Sequence, residues 1–322
     1  MSTSDPNPGP PILVLHDGAA GNRRQALALA QALGGPVHEL QLDADLLVRT
    51  LAPRCPPGAG ARFGPAFTAL LAQPPALAIG CGRIAALATR LLKKAGGRVV
   101  QILDPRIDPC HWDLVIAPEH DGLRGENVIT LIGSLHPIDS AWLARARDDF
   151  PALGRLPGPR TALLLGGPTR AVQFDRSAFE VLISKLEFWL ARDGGSVMLC
   201  GSRRTPKEIA RVARERFSEM PGVLWLDAAD GENIYSGALG WADRIIVSPD
   251  SVNMISEACA TSAPVFIAEP DRAAGRVRRF IASLEARGRV HAQTRDAGGQ
   301  VAVEPLLELP RVVAAVRECL RR

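Results

Sequence analysis

Several runs of glycine, small polar and charged residues follow apolar segments in this chain, and three in its second half suit phosphate. Gly166-Gly167-Pro168-Thr169-Arg170 joins two residues without a Cβ, which let backbone approach a ligand closely, to a guanidinium that can fork onto it. Gly201-Ser202-Arg203-Arg204-Thr205 adds two further arginines to a small-residue turn. Ser248-Pro249-Asp250-Ser251 precedes an amphipathic run, and a helix start there offers free amides and the positive end of the macrodipole to an anion. Beyond it Asp250, Asn253 and Glu257 share one helical face, while Ile255 and Cys259 point elsewhere. A carboxylate in the position of Glu257, behind a phosphate-binding helix start, can accept bonds from both ribose hydroxyls. Gly166, Gly167, Thr169, Arg170, Ser202, Arg203, Arg204, Ser248, Asp250, Ser251, Asn253 and Glu257 are thus the expected nucleotide contacts. The same residues also fit a plainer description as caps, turns and solvated arginines.

The first half offers acid–base chemistry. Asp17, in His16-Asp17-Gly18-Ala19-Ala20-Gly21-Asn22, and the pair His120-Asp121 stand at strand ends, where a base can deprotonate an attacking hydroxyl. Asp17 equally suits a turn, and His120-Asp121 a structural strand end. Asp104-Pro105-Arg106 reads as an ion pair that holds its own loop. No metal template emerges: Asp104 and Asp108 are not in DxD spacing, and His111, His120 and His136 fit no zinc pattern. Neither a GxSxG elbow nor a lysine-bearing Walker loop is present, which argues against serine hydrolases and P-loop enzymes.

The elements that must position these loops alternate between short apolar strands and amphipathic helices. Strands are expected at 12–15, 37–42, 76–79, 99–103, 114–117 and 128–131, with helices at 23–33, 62–71 and 84–94. After the proline- and glycine-rich stretch 148–160 the alternation restarts. Strands follow at 161–165, 196–200, 223–226, 244–247 and 264–267, and helices at 177–192, 206–217, 234–241, 251–261, 273–286 and 305–320. Strand–helix alternation indicates parallel sheets, so the expected fold is α/β: two Rossmann-like domains facing a cleft. Residues 1–10 read as a disordered leader, 11–150 as the first domain, 151–160 as a linker, 161–300 as the second domain and 301–322 as a C-terminal helix.

Composition narrows the classes further. With 322 residues, 47% hydrophobic and 22% charged, the chain suits about two globular domains and not a disordered polymer. A net charge of +4 is too small to argue for nucleic acid, although all but four of the 38 basic residues are arginine. The longest uncharged run, 63–82, is broken by Pro65, Pro74 and Pro75, so no spanning helix is expected. A start without a basic, apolar signal segment points to a cytoplasmic protein. Six widely spaced cysteines fit reduced thiols. Arg272, Arg276, Arg278 and Arg279 on one helix suit solvated charge, or peripheral contact with anionic lipid.

The stretch from Ser248 to Ala258, followed by Pro264-Val265-Phe266-Ile267, resembles the donor-nucleotide motif of GT-B glycosyltransferases. It is also similar to the DSGG…EEA stretch of the sugar-nucleotide 2-epimerases, with Val252-Asn253 where those enzymes have paired glycines. Across nearly the whole chain, HDGAAGNRRQALALAQAL, QILDPRIDPCHWDLVIAPEHDGL, LLLGGPTRAVQF, GSRRTP and SPDSVNMISEACAT resemble the plant mitochondrial-fission (elongated-mitochondria) family and its bacterial relatives. The resemblance implies a GT-B-like fold and, from the plant members, recruitment of a dynamin-like partner. The expected function is a metal-independent glycosyltransferase without a cofactor. Its nucleotide-sugar donor would sit in the second domain, and an unidentified acceptor and Asp17, His120 or Asp121 as base in the first. The alternatives are a non-catalytic adaptor that keeps the frame and recruits a membrane-remodelling partner, and a sugar-nucleotide epimerase.

Overall fold

The computed structural model describes residues 10–296 and 303–321. The leader expected at 1–10 lies, apart from Pro10, outside the described residues. In chain order the elements are β1 (Ile12–His16), α1 (Ala20–Leu33), β2 (Val37–Gln41), α2 (Leu46–Leu51), α3 (Pro65–Ala72), β3 (Leu77–Cys81), α4 (Arg83–Lys94), β4 (Val99–Ile102), β5 (Leu114–Pro118) and β6 (Val128–Leu131). Next come α5 (Ser140–Asp149), β7 (Arg160–Leu164), α6 (Arg176–Asp193), β8 (Ser196–Cys200), α7 (Lys207–Phe217), β9 (Gly222–Trp225), α8 (Tyr235–Trp241), β10 (Arg244–Val247), α9 (Val252–Cys259), β11 (Val265–Ile267), α10 (Gly275–Ala286), β12 (Val290–Ala292) and α11 (Leu309–Arg321). Two compact units result: residues 1–137 with 308–322, and residues 138–307.

Both sheets have six strands, and every pairing is parallel. The first has the order β2-β1-β3-β4-β5-β6 and the second β12-β11-β10-β7-β8-β9. Sheets covered on both faces need apolar residues on each side of every strand. On β1, Leu13 and Leu15 join α3 and α4 residues such as Phe67 and Leu87, while Ile12 and Val14 join Leu29 of α1 and Val312 of α11. The C-terminal helix therefore completes the first unit. Glu308, just before α11, accepts the Ile132 amide at 3.0 Å, and Arg311 donates to the Thr130 carbonyl at 2.6 Å.

The α/β architecture with two parallel sheets follows the sequence pattern, but the division of the chain differs. Helix α5, which falls in the expected first domain, packs on α8 in the second unit, and Trp241 Nε1 donates to the Phe150 carbonyl at 3.0 Å. The stretch 151–160 is not a free linker. Leu153 is buried, Ser196 Oγ donates to the Pro157 carbonyl at 2.7 Å, and Arg160 clasps Asp243. Its prolines and glycines shape packed turns in place of a spacer. Helices α2 and α5 and strand β12 carry too little periodicity to be read from sequence, being short or dominated by charge.

Candidate functional site

In an open parallel sheet the ligand crevice opens where successive connections leave in opposite directions. In the second sheet that point lies between β7 and β10, whose registers place Leu164 beside Val247. The loops beginning at Leu165 and Ser248 therefore emerge side by side, and the sequence-expected nucleotide residues collect there.

The closest packing in this crevice is internal. Gly166 N donates to Ser248 Oγ at 2.7 Å, and Gly167 N to Asp250 Oδ2 at 3.1 Å. Ser248 Oγ donates to Asp250 Oδ1 at 2.6 Å, and Arg204 Nη2 to Oδ2 at 2.7 Å. Asp250 is only 6% exposed, and burial pushes its carboxyl up, against the pull of Ser248, the Gly167 amide and Arg204. A Cβ on Gly166 would stand 2.0 Å from Asp250 Oδ2, and one on Gly167 would stand 1.9 Å from the Arg204 carbonyl. Both glycines are thus required by the chain itself. The space that the two glycines leave is taken by the chain, by Asp250 at Gly166 and by the Arg204 carbonyl at Gly167, and the Arg204 side chain is bound to Asp250.

Thr205 ties the second loop down, with Oγ1 donating toward the Leu165 and Gly166 carbonyls (3.0 and 2.9 Å) and accepting from Ser202 N at 2.8 Å. Ser202 Oγ accepts from Arg204 N, and Thr169 Oγ1 from Ala171 N, so both residues shape turns. Arg170 and Arg203 remain exposed and make no ion pair among the described residues.

Helix α9 opens directly after the Asp250 plug. Ser251 Oγ accepts from Met254 N at 3.3 Å, one of the donors that a helix start leaves unpaired. The half-buried amides of Val252 and Asn253 have no hydrogen-bond partner among the described residues. Two turns on, Glu257 is 2% exposed, and Oε2 accepts from Tyr235 Oη at 2.6 Å. Tyr235, the only tyrosine in the chain, was not among the expected site residues. Its partnership with Glu257 spans 22 positions, which no local pattern reveals. The expected ridge also splits, since Asp250 points back into the loops while Glu257 meets α8.

In the first unit the corresponding crevice lies between β1 and β3. Asp17 Oδ1 accepts from Ala19 N and Asn22 Nδ2, both at 3.1 Å, and so shapes the entry to α1. His16 is buried, with Nδ1 accepting from Gly18 N. His120 and Asp121 lie half-buried in a single turn after β5. Three strand spacings separate β1 from β5, about 14 Å, so Asp17 and the His120-Asp121 pair stand at separate strand ends. Asp104 accepts from the Arg106 amide and pairs with its side chain, and Leu103 and Arg106 both adopt left-handed backbone.

His136 fits no zinc pattern, yet its imidazole is strongly perturbed. It is 4% exposed, Nδ1 has no hydrogen-bond partner, and burial, with Arg24 nearby, lowers its pKa to about 4. All six cysteines are free thiols, and burial pushes those of Cys200 and Cys259 up to about 12. Among the described residues, no three His, Cys, Asp or Glu side chains gather to hold a metal. No helix among them is long and apolar enough to cross a membrane.

The fold is shared with nucleotide-sugar enzymes. UDP-GlcNAc 2-epimerase from Methanocaldococcus jannaschii superposes with a TM-score of 0.55 at 12% identity, over 96% of this chain and 99% of that one. MurG from Acinetobacter baumannii gives 0.51 at 14% identity, over 97% and 92%. The Neisseria meningitidis 2-epimerase bound to UDP-GlcNAc gives 0.52 at 10%, over 96% and 99%. At these identities the likeness establishes a GT-B-like fold. In sequence, the mitochondrial fission protein ELM1 of Arabidopsis thaliana is 31% identical over 250 residues, 68% of this chain but only 57% of the plant protein. An uncharacterised Rickettsia prowazekii protein, RP120, is 24% identical over 305 residues, 80% of this chain and 83% of that one. The model of the family described as mitochondrial fission ELM1 matches residues 20–320, and the chain belongs to that family.

Proposed function

We propose that the second unit binds a nucleoside diphosphate sugar at the mouth of α9, and that the protein is a metal-independent, GT-B-like glycosyltransferase. The observation that carries this reading is the pairing of two unpartnered amides, Val252 and Asn253, with a buried carboxylate two turns along the same helix. Helix amides and macrodipole favour a diphosphate, Arg170 and Arg203 stand uncommitted on the neighbouring loops, and Glu257 is placed for ribose hydroxyls. Without a metal, these donors would also stabilise the leaving diphosphate. UDP is the first nucleotide to test, since the fold's relatives include an epimerase bound to UDP-GlcNAc. The base candidates are Asp17, whose turn bonds both fall on Oδ1 and leave Oδ2 uncommitted among the described residues, and the pair His120-Asp121. The acceptor is unassigned.

A specific feature favours a second reading. The Asp250 carboxylate already occupies the Gly167 amide, which suits an adaptor that keeps the frame without the chemistry and recruits a membrane-remodelling, dynamin-like partner. An epimerase fits less well, because Val252 and Asn253 replace the glycines of its motif. Thermal melting with UDP, GDP, CMP and their sugar conjugates separates the readings. A ligand at 100 times its dissociation constant stabilises by about 2.7 kcal/mol. A selective shift lost in Glu257→Ala supports the donor site, and turnover of the conjugate without acceptor would indicate epimerisation. No shift with any nucleotide would leave the adaptor.

A further inference from the structure

Three of the most exposed leucines of the described residues gather on one short helix of the first unit. On α2, Leu46 is 81% exposed, Leu47 41% and Leu51 37%, whereas Val48 alone is buried. At 100° per residue, Leu46, Thr50, Leu47 and Leu51 occupy one arc of about 140°. Thr50 presents its methyl within this arc, because its hydroxyl donates to the Leu46 carbonyl at 2.8 Å.

This apolar arc is held rigidly. Asp45 caps α2 by accepting from Val48 N at 2.8 Å, and Arg62 binds its other oxygen. At the far end Arg83 donates to the Arg49 carbonyl. Anchored at both ends, with Val48 in the core, the helix offers its leucines outward by construction. Around them stand the exposed arginines Arg49, Arg54, Arg62 and Arg83, against Asp43 and the already paired Asp45. Arg49 and Arg54 make no ion pair among the described residues. The basic helix singled out from sequence differs, since Arg272 pairs with Asp175 and Arg278 with Glu285.

We propose that α2 is a membrane-docking surface, with Leu46, Leu47 and Leu51 entering the interfacial layer of an anionic bilayer and Arg49 and Arg54 meeting its headgroups. A rigid apolar face rimmed by unpaired cations is the arrangement that such a surface rewards. A second copy of the chain is a poorer occupant. Three partly exposed leucines fall short of the ~800 Å² per partner of a stable dimer, and a symmetric pairing would bring like charges together.

The test is co-sedimentation of the full chain with vesicles of phosphatidylcholine alone or with 30 mol% phosphatidylglycerol. Binding to the anionic vesicles is expected, weakening as salt is raised. Leu46→Asn combined with Leu47→Asn should lower the partition coefficient at least tenfold. Arg49→Glu with Arg54→Glu should lower it about twentyfold or more. All four side chains are exposed, so melting temperatures should hold. The proposal is overturned if the wild type ignores anionic vesicles or the leucine pair binds as well as wild type. It is equally overturned if light scattering shows a dimer that the leucine substitutions abolish.

Discussion

The two crevices are built alike and plugged differently. In the first unit the side chain of Asn22 reaches into the β1/β3 crevice, where its amide donates to Asp17 and lies against Gly82. In the second, Asp250 reaches into the β7/β10 crevice, where three donors hold a buried carboxylate against Gly166. A half-exposed neutral amide can swing aside at little cost. A buried carboxylate cannot, because moving it strands Ser248, the Gly167 amide and Arg204. On the proposed reading, a negative plug would repel phosphate from the glycine amides and leave the start of α9 as the anion site.

The largest expected effect breaks this contrast or sharpens it. Gly166→Ala must evict Asp250 and should cost about 3–5 kcal/mol, the penalty for disrupting a buried, paired charge. Gly82→Ala places its Cβ 2.5 Å from Asn22 Nδ2, the mobile end of a side chain, at φ +88°. Strain of that kind costs of order 1–3 kcal/mol. Chemical denaturation of both variants, with the transitions of the two units resolved, measures the gap. Equal losses would show that the plugs are equally rigid and remove the distinction.

Acid should separate the units next. His136 titrates at about 4 in the folded first unit and near 6.5 when unfolded, so the unfolded chain takes up the proton first as pH falls. The first unit therefore keeps its full stability above pH 6.5 and loses about 3 kcal/mol by pH 4. Asp250 works in the opposite sense. Its raised pKa means that ionisation burdens the second unit as pH rises, and acid relieves it. Asp193, held to about 2 first by Arg192 and also by Arg244, begins to cost the second unit only below about pH 4. Denaturation at pH 7 and 4.5 should show selective weakening of the first unit, diminished in His136→Phe. Parallel weakening of both units would contradict these assignments.

What the sequence discloses here follows from the range of the forces involved. Strand and helix periodicity is local, so the parallel α/β architecture and the loops at the strand ends were readable from it. The capping role of Ser251 was readable for the same reason. The partners inside the crevice were not: Gly166 meets Ser248 across 82 positions, and Tyr235 meets Glu257 across 22. The glycine pair signalled close approach correctly, yet the approaching groups are Asp250 at Gly166 and the Arg204 carbonyl at Gly167. His136 gave no signal because its significance lies in burial, which depends on how the β6 loop packs against α1, through the Gln25 bond to the Leu135 amide.

The smallest expected effect concerns Tyr235. Its hydroxyl bond to Glu257 ties α8 to α9, and Tyr235→Phe should cost about 1–3 kcal/mol, in keeping with a buried acceptor left without this donor. The single tyrosine also makes a direct reporter, since 3-fluorotyrosine labels only this site and gives one ¹⁹F resonance. If ribose hydroxyls add their bonds to Glu257, the hydroxyl of Tyr235 must share its acceptor, and the resonance should move as UDP is added. The movement should vanish in Glu257→Ala. A resonance that stays fixed while melting curves show UDP bound would move the nucleotide away from Glu257. The open amides at α9 would then bind phosphate alone, and the second crevice would be no more specific for a nucleoside than the first.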